Sequence, residues 1–294
     1  MKIFANFRDP IKDPFLSLIK NKYGDKPITF WYDKLPESPN DFNLNPYNFL
    51  FLHEPNEFFG MHSYALKYKE AFDVILTWND LLLNNCKNAV NFTYNGQTLD
   101  RDYLNIPKDK KFNVSFLCGN KNLVEGHKLR HEVYSLNEKI NIPKKWYYVL
   151  DDYDKENNVR PGYAEYSKDI SHIPEGVDPI GFGRRSLFDD SMFNVVIENV
   201  KYNNWYNKIG DNFLTKTIPI YWGCPNISEF GYDERGIIRF DTQEELLNIL
   251  NNLSPKIYFD KAPYLEHNYQ LALNDTIENN IQHFFDQFFN LNQI

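Results

Sequence analysis

Apolar positions along the chain gather in short runs of four to eight residues, separated by polar stretches rich in Asn and Lys, with longer amphipathic segments between them. That alternation of brief hydrophobic runs and helical periodicity predicts an α/β protein built on parallel sheets. Strands are expected at 2–7, 29–32, 48–53 and 74–77, with helices at 14–23, near 59–68 and at 79–86. Residues 108–111, charged and preceded by Pro107, suit a linker. A second series follows: a strand at 113–118, a polar turn at 119–126 and a helix from His127 to about Glu138. The stretch 153–179 is polar and carries three prolines and two glycines, which predicts a long loop. An apolar run at Val195, Val196 and Ile197 leads through a polar loop to a helix starting near Lys208. A buried strand at 218–221 comes next and is stopped by Gly223 and Pro225. A strand at 236–240, a helix from its cap Thr242 to Leu250 and a final helix over 264–289 complete the pattern.

The length of 294 residues exceeds what one core usually organises, so two domains are expected, 1–107 and 108–265, followed by 266–294. Phe and Tyr number 24 and 20, enough for aromatic rings to line a cleft as well as to fill cores. A net charge of −8 argues against broad binding along a nucleic-acid backbone, which calls for a basic excess. Cys86, Cys118 and Cys224 are odd in number and widely spaced, which suggests a reducing compartment and a cytoplasmic location. No run approaches the ~18 consecutive apolar residues of a membrane span, so no membrane partner is expected.

Candidate chemistry concentrates in three places. In 193–226, Glu198 and Asn199 sit where a buried strand surfaces at its carboxyl end, the ligand edge of an open α/β sheet. Lys208 follows at a helix start, where backbone N–H groups and the helix dipole favour an anion. In the segment Phe51-Leu-His-Glu-Pro-Asn-Glu-Phe-Phe59, Glu54 stands directly after an apolar strand and suits a general base; the other reading makes Glu54 or Glu57 a helix cap. In the third, a strand ending at Cys118 runs through a polar loop into a helix carrying Arg130, whose fork can grip a phosphate; the alternative is a solvated helix charge shared with Lys128.

Several chemistries lose ground on pattern. His53 and His62 lack ligand spacing to a third group, and His127 and His131 stand at i and i+4 without the glutamate of a zinc protease. GxGxxG, Walker A and GxSxG motifs are all missing. Gly181-Phe-Gly-Arg-Arg185 precedes the 193–226 segment and suits a structured turn.

The 193–223 stretch resembles the C-terminal motif of the α1,3-fucosyltransferases, glycosyltransferase family 10, whose pattern is approximately FxxxFENS, then YxTEK, a helix and a strand of the type V/I-P-V/I-x-x-G. This chain reads Ile-Glu-Asn at 197–199, Tyr-Asn-Lys at 206–208 and Ile-Pro-Ile-Tyr-Trp-Gly at 218–223. Leu52-His-Glu-Pro55 resembles the family's acidic residue before a proline, and Gly119-Asn120 to Arg130 its serine–asparagine loop and phosphate-binding arginine. The resemblance implies a GT-B fold: two Rossmann-like domains facing across a cleft, with the acceptor in the N-terminal one, a nucleotide sugar in the C-terminal one, and the last helix returning to the N-terminal domain.

It also implies an inverting glycosyltransferase without a catalytic metal or other cofactor. Glu54 would be the base. Arg130 and Lys208 would neutralise the diphosphate, Glu198 and Asn199 would shape the sugar pocket, Tyr206 and Asn207 would lie on the ribose side, and Asn120 would contribute to donor binding. The expected donor is GDP-fucose and the acceptor a glycan hydroxyl. Asn207 departs from the family glutamate, and a neutral amide both accepts and donates where a carboxylate only accepts, which leaves a UDP-linked pentose open. Two alternatives stand beside this reading: a viral or phage enzyme acting on hydroxylated or hydroxymethylated cytosine in DNA within a host cytoplasm, and a nucleotide-sugar binder without turnover.

Overall fold

The computed structural model describes residues 1–6, 14–38, 41–42, 44–93, 109–149 and 182–292. The chain divides into two compact units, Met1–Tyr94 with Asn203–Trp205 and Asp275–Ile294, and Asn95–Tyr202 with Tyr206–Asn274. The long loop expected at 153–179 lies outside the described residues, as do Gly181 and the junction at Lys108.

Unit 1 is built on an all-parallel sheet in sequence order: β1 (Lys2–Ala5), β2 (Ile28–Tyr32), β3 (Tyr47–Leu52), β4 (Val74–Thr77) and β5 (Ala89–Asn91). Helices α1 (Pro14–Tyr23), α2 (Asn56–Phe59), α3 (Met61–Lys67) and α4 (Asp80–Asn85) connect the strands. Both faces of this sheet are covered, which is why its central strands read as unbroken apolar runs. Phe30, Phe49 and Phe51 pack with Phe15, Leu16 and Ile19 of α1, whereas Trp31, Leu50 and Leu52 pack with Ala65 and Leu82 on the opposite face. The helix expected near 59–68 is interrupted at Gly60, whose φ of 64° is left-handed and separates α2 from α3. Strand β5 was not expected; it is three residues long and largely exposed at the sheet edge, so it lacks an apolar signature.

Unit 2 carries a second parallel sheet in the order β10-β9-β8-β6-β7, with β6 (Lys111–Gly119), β7 (Lys144–Val149), β8 (Ser191–Ile197), β9 (Ile218–Trp222) and β10 (Ile238–Arg239). Its helices are α5 (Glu125–Tyr134), α6 (Ile209–Leu214), α7 (Gln243–Asn251) and α8 (Pro255–Ala272). Strand β7, not expected from the sequence pattern, runs Lys-Lys-Trp-Tyr-Tyr-Val and buries only Trp146 and Tyr148, so its period-two signal is short and preceded by charge. Helix α7 starts as expected, with Thr242 Oγ1 accepting the Glu245 N–H at 3.1 Å.

The single helix expected over 264–289 is two helices, the first in unit 2 and the second in unit 1. Helix α8 belongs to unit 2 along its whole length. Its buried Asn268 donates to the Asp233 carbonyl at 3.0 Å and accepts the Asp233 N–H at 2.7 Å. Thr276 then caps α9 (Ile277–Asn292) by accepting from the Asn279 N–H at 3.2 Å. Helix α9 buries Ile281, Phe285 and Phe289 in unit 1, with Phe285 stacked on Phe49 at 5.7 Å between centroids. Among the described residues no helix is long and apolar enough to cross a membrane.

Candidate active site

In unit 2 the chain order reverses between β6 and β8, because β7 pairs on the far side of β6 while β8 pairs on the near side. Crevices at such switch points, at the carboxyl ends of the strands, are where open α/β sheets bind ligands. A cavity of about 210 Å³ lies there, lined by Leu117, Val149 and Val196 from the sheet and by Asn194 and Asn212. Three cationic side chains also line it: Arg130 of α5, Lys208 at the start of α6, and Arg184.

Arg130 is a buried residue and not a solvated helix charge; Lys128, its neighbour, is exposed. Its Nε and Nη2 donate to the Ile197 carbonyl at 3.0 and 2.6 Å, and Nη2 donates to Asn199 Oδ1 at 2.8 Å. The guanidinium is thereby pinned to the last residue of β8. Burial lowers its pKa to about 10, opposed by Cys118 and Glu198 and assisted by Arg184. The approach of α5 to this turn depends on Gly126: its N–H donates to the Asn199 carbonyl at 2.9 Å, and a Cβ there would lie 1.8 Å from the Glu198 carbonyl oxygen.

Glu198 is fully buried, and its Oε1 accepts the N–H groups of Asn207, Lys208 and Ile209 at 3.0, 2.8 and 3.3 Å. It caps the first turn of α6 and sets the position of Lys208, whose Nζ lies 4.0 Å from Oε2. This packing explains the glycine that ends the Ile-Pro-Ile-Tyr-Trp-Gly run, since a Cβ on Gly223 would come within 2.5 Å of Glu198 Cγ.

The other residues singled out from sequence separate into distinct roles. Asn199 belongs to the site through its bond to Arg130. Asn207 uses its N–H on Glu198 and is partly exposed. Asn120, at the end of β6, is buried, with its N–H donating to the Val149 carbonyl at 3.1 Å. Tyr206, expected on the ribose side, is 1% exposed and packs on Phe230 and Tyr232 at 5.3 and 5.9 Å.

Arg184, expected only within a structured turn, and Asp211, not singled out from sequence, both line the cavity. They lie 27 residues apart, and only the fold places both on the cavity wall. The one available signal was the Gly-Phe-Gly-Arg-Arg run.

In unit 1, Glu54 is partly exposed just past the carboxyl end of β3. Its backbone is held at every polar group. Asp33 Oδ1 accepts the N–H groups of His53 and Glu54 at 2.8 and 3.1 Å. The His53 carbonyl accepts two indole N–H groups, from Trp78 at 2.8 Å and Trp205 at 3.1 Å, and His62 Nε2 lies 3.1 Å from the Glu54 carbonyl. Asp33 has φ 43°, an unusual backbone for a residue with a Cβ and one that persists only where neighbours fix it. The N-cap position of α2 is Pro55, which makes no side-chain capping bond.

Two buried histidines give these regions a pH dependence. Burial lowers the His62 pKa to about 4, against the opposing pull of the Glu54 carbonyl and Glu57. His127 is lowered to about 2, by burial first and then by the positive charge of Arg130, Lys208, Lys121 and His131. Each is neutral in the native protein and takes up a proton in the unfolded chain near the ordinary 6.5. Below that pH the unfolded state therefore binds more protons, and stability falls as pH drops. Between pH 6 and about 4 the expected slope is on the order of 1.4 kcal/mol per pH unit for each histidine. Urea unfolding measured at pH 7, 6 and 5 should show the loss, and His62→Gln should flatten it; an unchanged slope in that variant would exclude His62 as a source.

No family model and no curated protein sequence matches the chain. Among solved structures it is similar to an α1,3-fucosyltransferase, at 14% identity over 95% of this chain and 91% of that one, with a TM-score of 0.52. It is similar to HepE of Anabaena in complex with UDP and glucose, at 10% identity over 98% and 84% of the two chains, TM-score 0.55. A trehalose-6-phosphate synthase studied for glycosyl transfer with retention matches at 11% identity over 98% and 80%, TM-score 0.57. The two parallel α/β units thus define a GT-B fold, the architecture of nucleotide-sugar glycosyltransferases.

Proposed function

We propose that the protein is a glycosyltransferase that moves a sugar from a nucleotide diphosphate to an acceptor hydroxyl. The observation that carries this reading is the cavity at the switch point of unit 2, where Arg130 and Lys208 converge at the end of β8. A buried arginine and a lysine on one cavity wall suit the charge that develops on a departing diphosphate. The fold is consistent with this, since HepE was solved with UDP and glucose. The likeness to a retaining enzyme means that the fold does not choose the stereochemistry. Inversion is proposed from Glu54: the acceptor oxygen bonds to the anomeric carbon as its proton passes to the carboxylate, and the bond from that carbon to the phosphate oxygen breaks with its electron pair leaving on the diphosphate. The cationic side chains stand in for a catalytic metal in this scheme. The proposed acceptor is a glycan hydroxyl, and the proposed donor GDP-fucose or, given Asn207, another nucleotide sugar.

Thermal shift with GDP, UDP and their sugars tests the donor site. A ligand at about 100 times its dissociation constant stabilises by roughly 2.7 kcal/mol, an easily read rise in melting temperature. Lys208→Ala should weaken binding of the active nucleotide by at least about tenfold while leaving the fold intact, since Lys208 is partly exposed. Absence of any shift with every nucleoside diphosphate would overturn the proposal.

A further inference from the structure

Arg184 lines the same cavity as Arg130 and Lys208 and is not part of the motif that suggested those two. It is also held more rigidly than an exposed arginine. Its Nε and Nη2 both lie 2.6 Å from Asp211 Oδ2, and the other carboxylate oxygen accepts from Arg185 Nε at 2.6 Å. Asp211 and Arg185 are each 2% exposed, so the carboxylate is a buried anchor in the first turn of α6.

Among the described residues that line the cavity, cationic side chains outnumber anionic ones. Among the described residues, Arg130, Arg184, Arg185 and Lys208 stand against Asp211 and Glu198, a formal excess of two positive charges. Asp211 shares its single negative charge between Arg184 and Arg185, so the three side chains together carry a formal charge of +1. Like charges gathered at a partly buried wall oppose one another, and an anion placed among them relieves that opposition. A nucleoside diphosphate has one phosphate group and about one negative charge more than the monophosphate, so it can meet more of the cations on the cavity wall.

We infer that Arg184, positioned by Asp211, is a third phosphate-gripping side chain, and that it gives this cavity its preference for a nucleoside diphosphate over the corresponding monophosphate. Arg184 would touch the ligand, whereas Asp211 acts through it as a positioning residue. The inference rests on the donor-site reading above.

Calorimetric titration of the full chain with GDP, GMP, UDP and UMP tests it, on the wild type, Arg184→Gln and Arg184→Lys. The expected result is that Arg184→Gln weakens the diphosphate by about tenfold or more and the monophosphate by much less, so that the diphosphate-to-monophosphate ratio collapses. Arg184→Lys, which keeps the charge and loses the fork, should fall between and also serves if the glutamine variant does not fold. A wild type that prefers diphosphate, with an unchanged ratio in a folded Arg184 variant, would overturn the role of Arg184 alone. A wild type that binds no nucleoside diphosphate would overturn the donor site and this inference together.

Discussion

Glu54→Gln is expected to lower turnover by about 10²- to 10⁴-fold while nucleotide-diphosphate binding stays near the wild-type value. That range is what a positioned general base contributes. The substitution is nearly isosteric and leaves the backbone cradle untouched, because the Glu54 contacts to Asp33 and His62 run through its N–H and carbonyl. The cradle is the reason for assigning the effect to the carboxylate. Asp33, Trp78, Trp205 and His62 hold the main chain of residues 53 and 54, which fixes where the Glu54 side chain leaves the backbone. Parallel measurement of kcat and of diphosphate affinity checks the prediction, together with the pH–rate profile, whose acidic limb should vanish in the variant. Turnover close to wild type would remove Glu54 as the base and leave the donor site standing.

The largest effect on stability is expected at Glu198. Glu198→Ala should destabilise the protein by roughly 3–5 kcal/mol, the cost of breaking a buried charged arrangement from one side. Three N–H groups at the start of α6 lose their common acceptor, and Lys208 loses the carboxylate beside it. Because Glu198 also packs against Gly223, truncation opens space at the turn after β9 that the glycine cannot fill. Glu198→Gln keeps one acceptor oxygen and should cost appreciably less. Urea unfolding of both variants decides the matter: an alanine variant within 1 kcal/mol of wild type would show that Glu198 is not the capping group. Nucleotide binding should weaken in the alanine variant as well, since the start of α6 carries Lys208.

Much of the architecture was legible because parallel strands covered on both faces leave continuous apolar runs. Val74 to Thr77 and Ile218 to Trp222 are buried at every position, and both were readable as strands. Edge strands such as β5 and β7 gave no such run. The division of the last helix was hidden for a different reason. Leu265 and Phe285 are both core residues, and nothing local shows that they belong to different units.

The candidate site divides along the same line. Sequence alone determined which residue types stand at the strand ends: a carboxylate after β3, Glu-Asn after β8, and a cation at one helix start, because local order places a residue at the end of a strand whatever the rest of the chain does. Tertiary structure decided what those residues do there. Burial surrounds Tyr206 with other rings, sets Glu198 against the first N–H groups of α6, and makes Arg130 a fixed cation. It also brought Arg184 to the cavity through Asp211, by a contact between residues far apart in the chain. Solvent exclusion and charge pairing are properties of a neighbourhood, and the neighbourhood exists only once the sheet has ordered its strands.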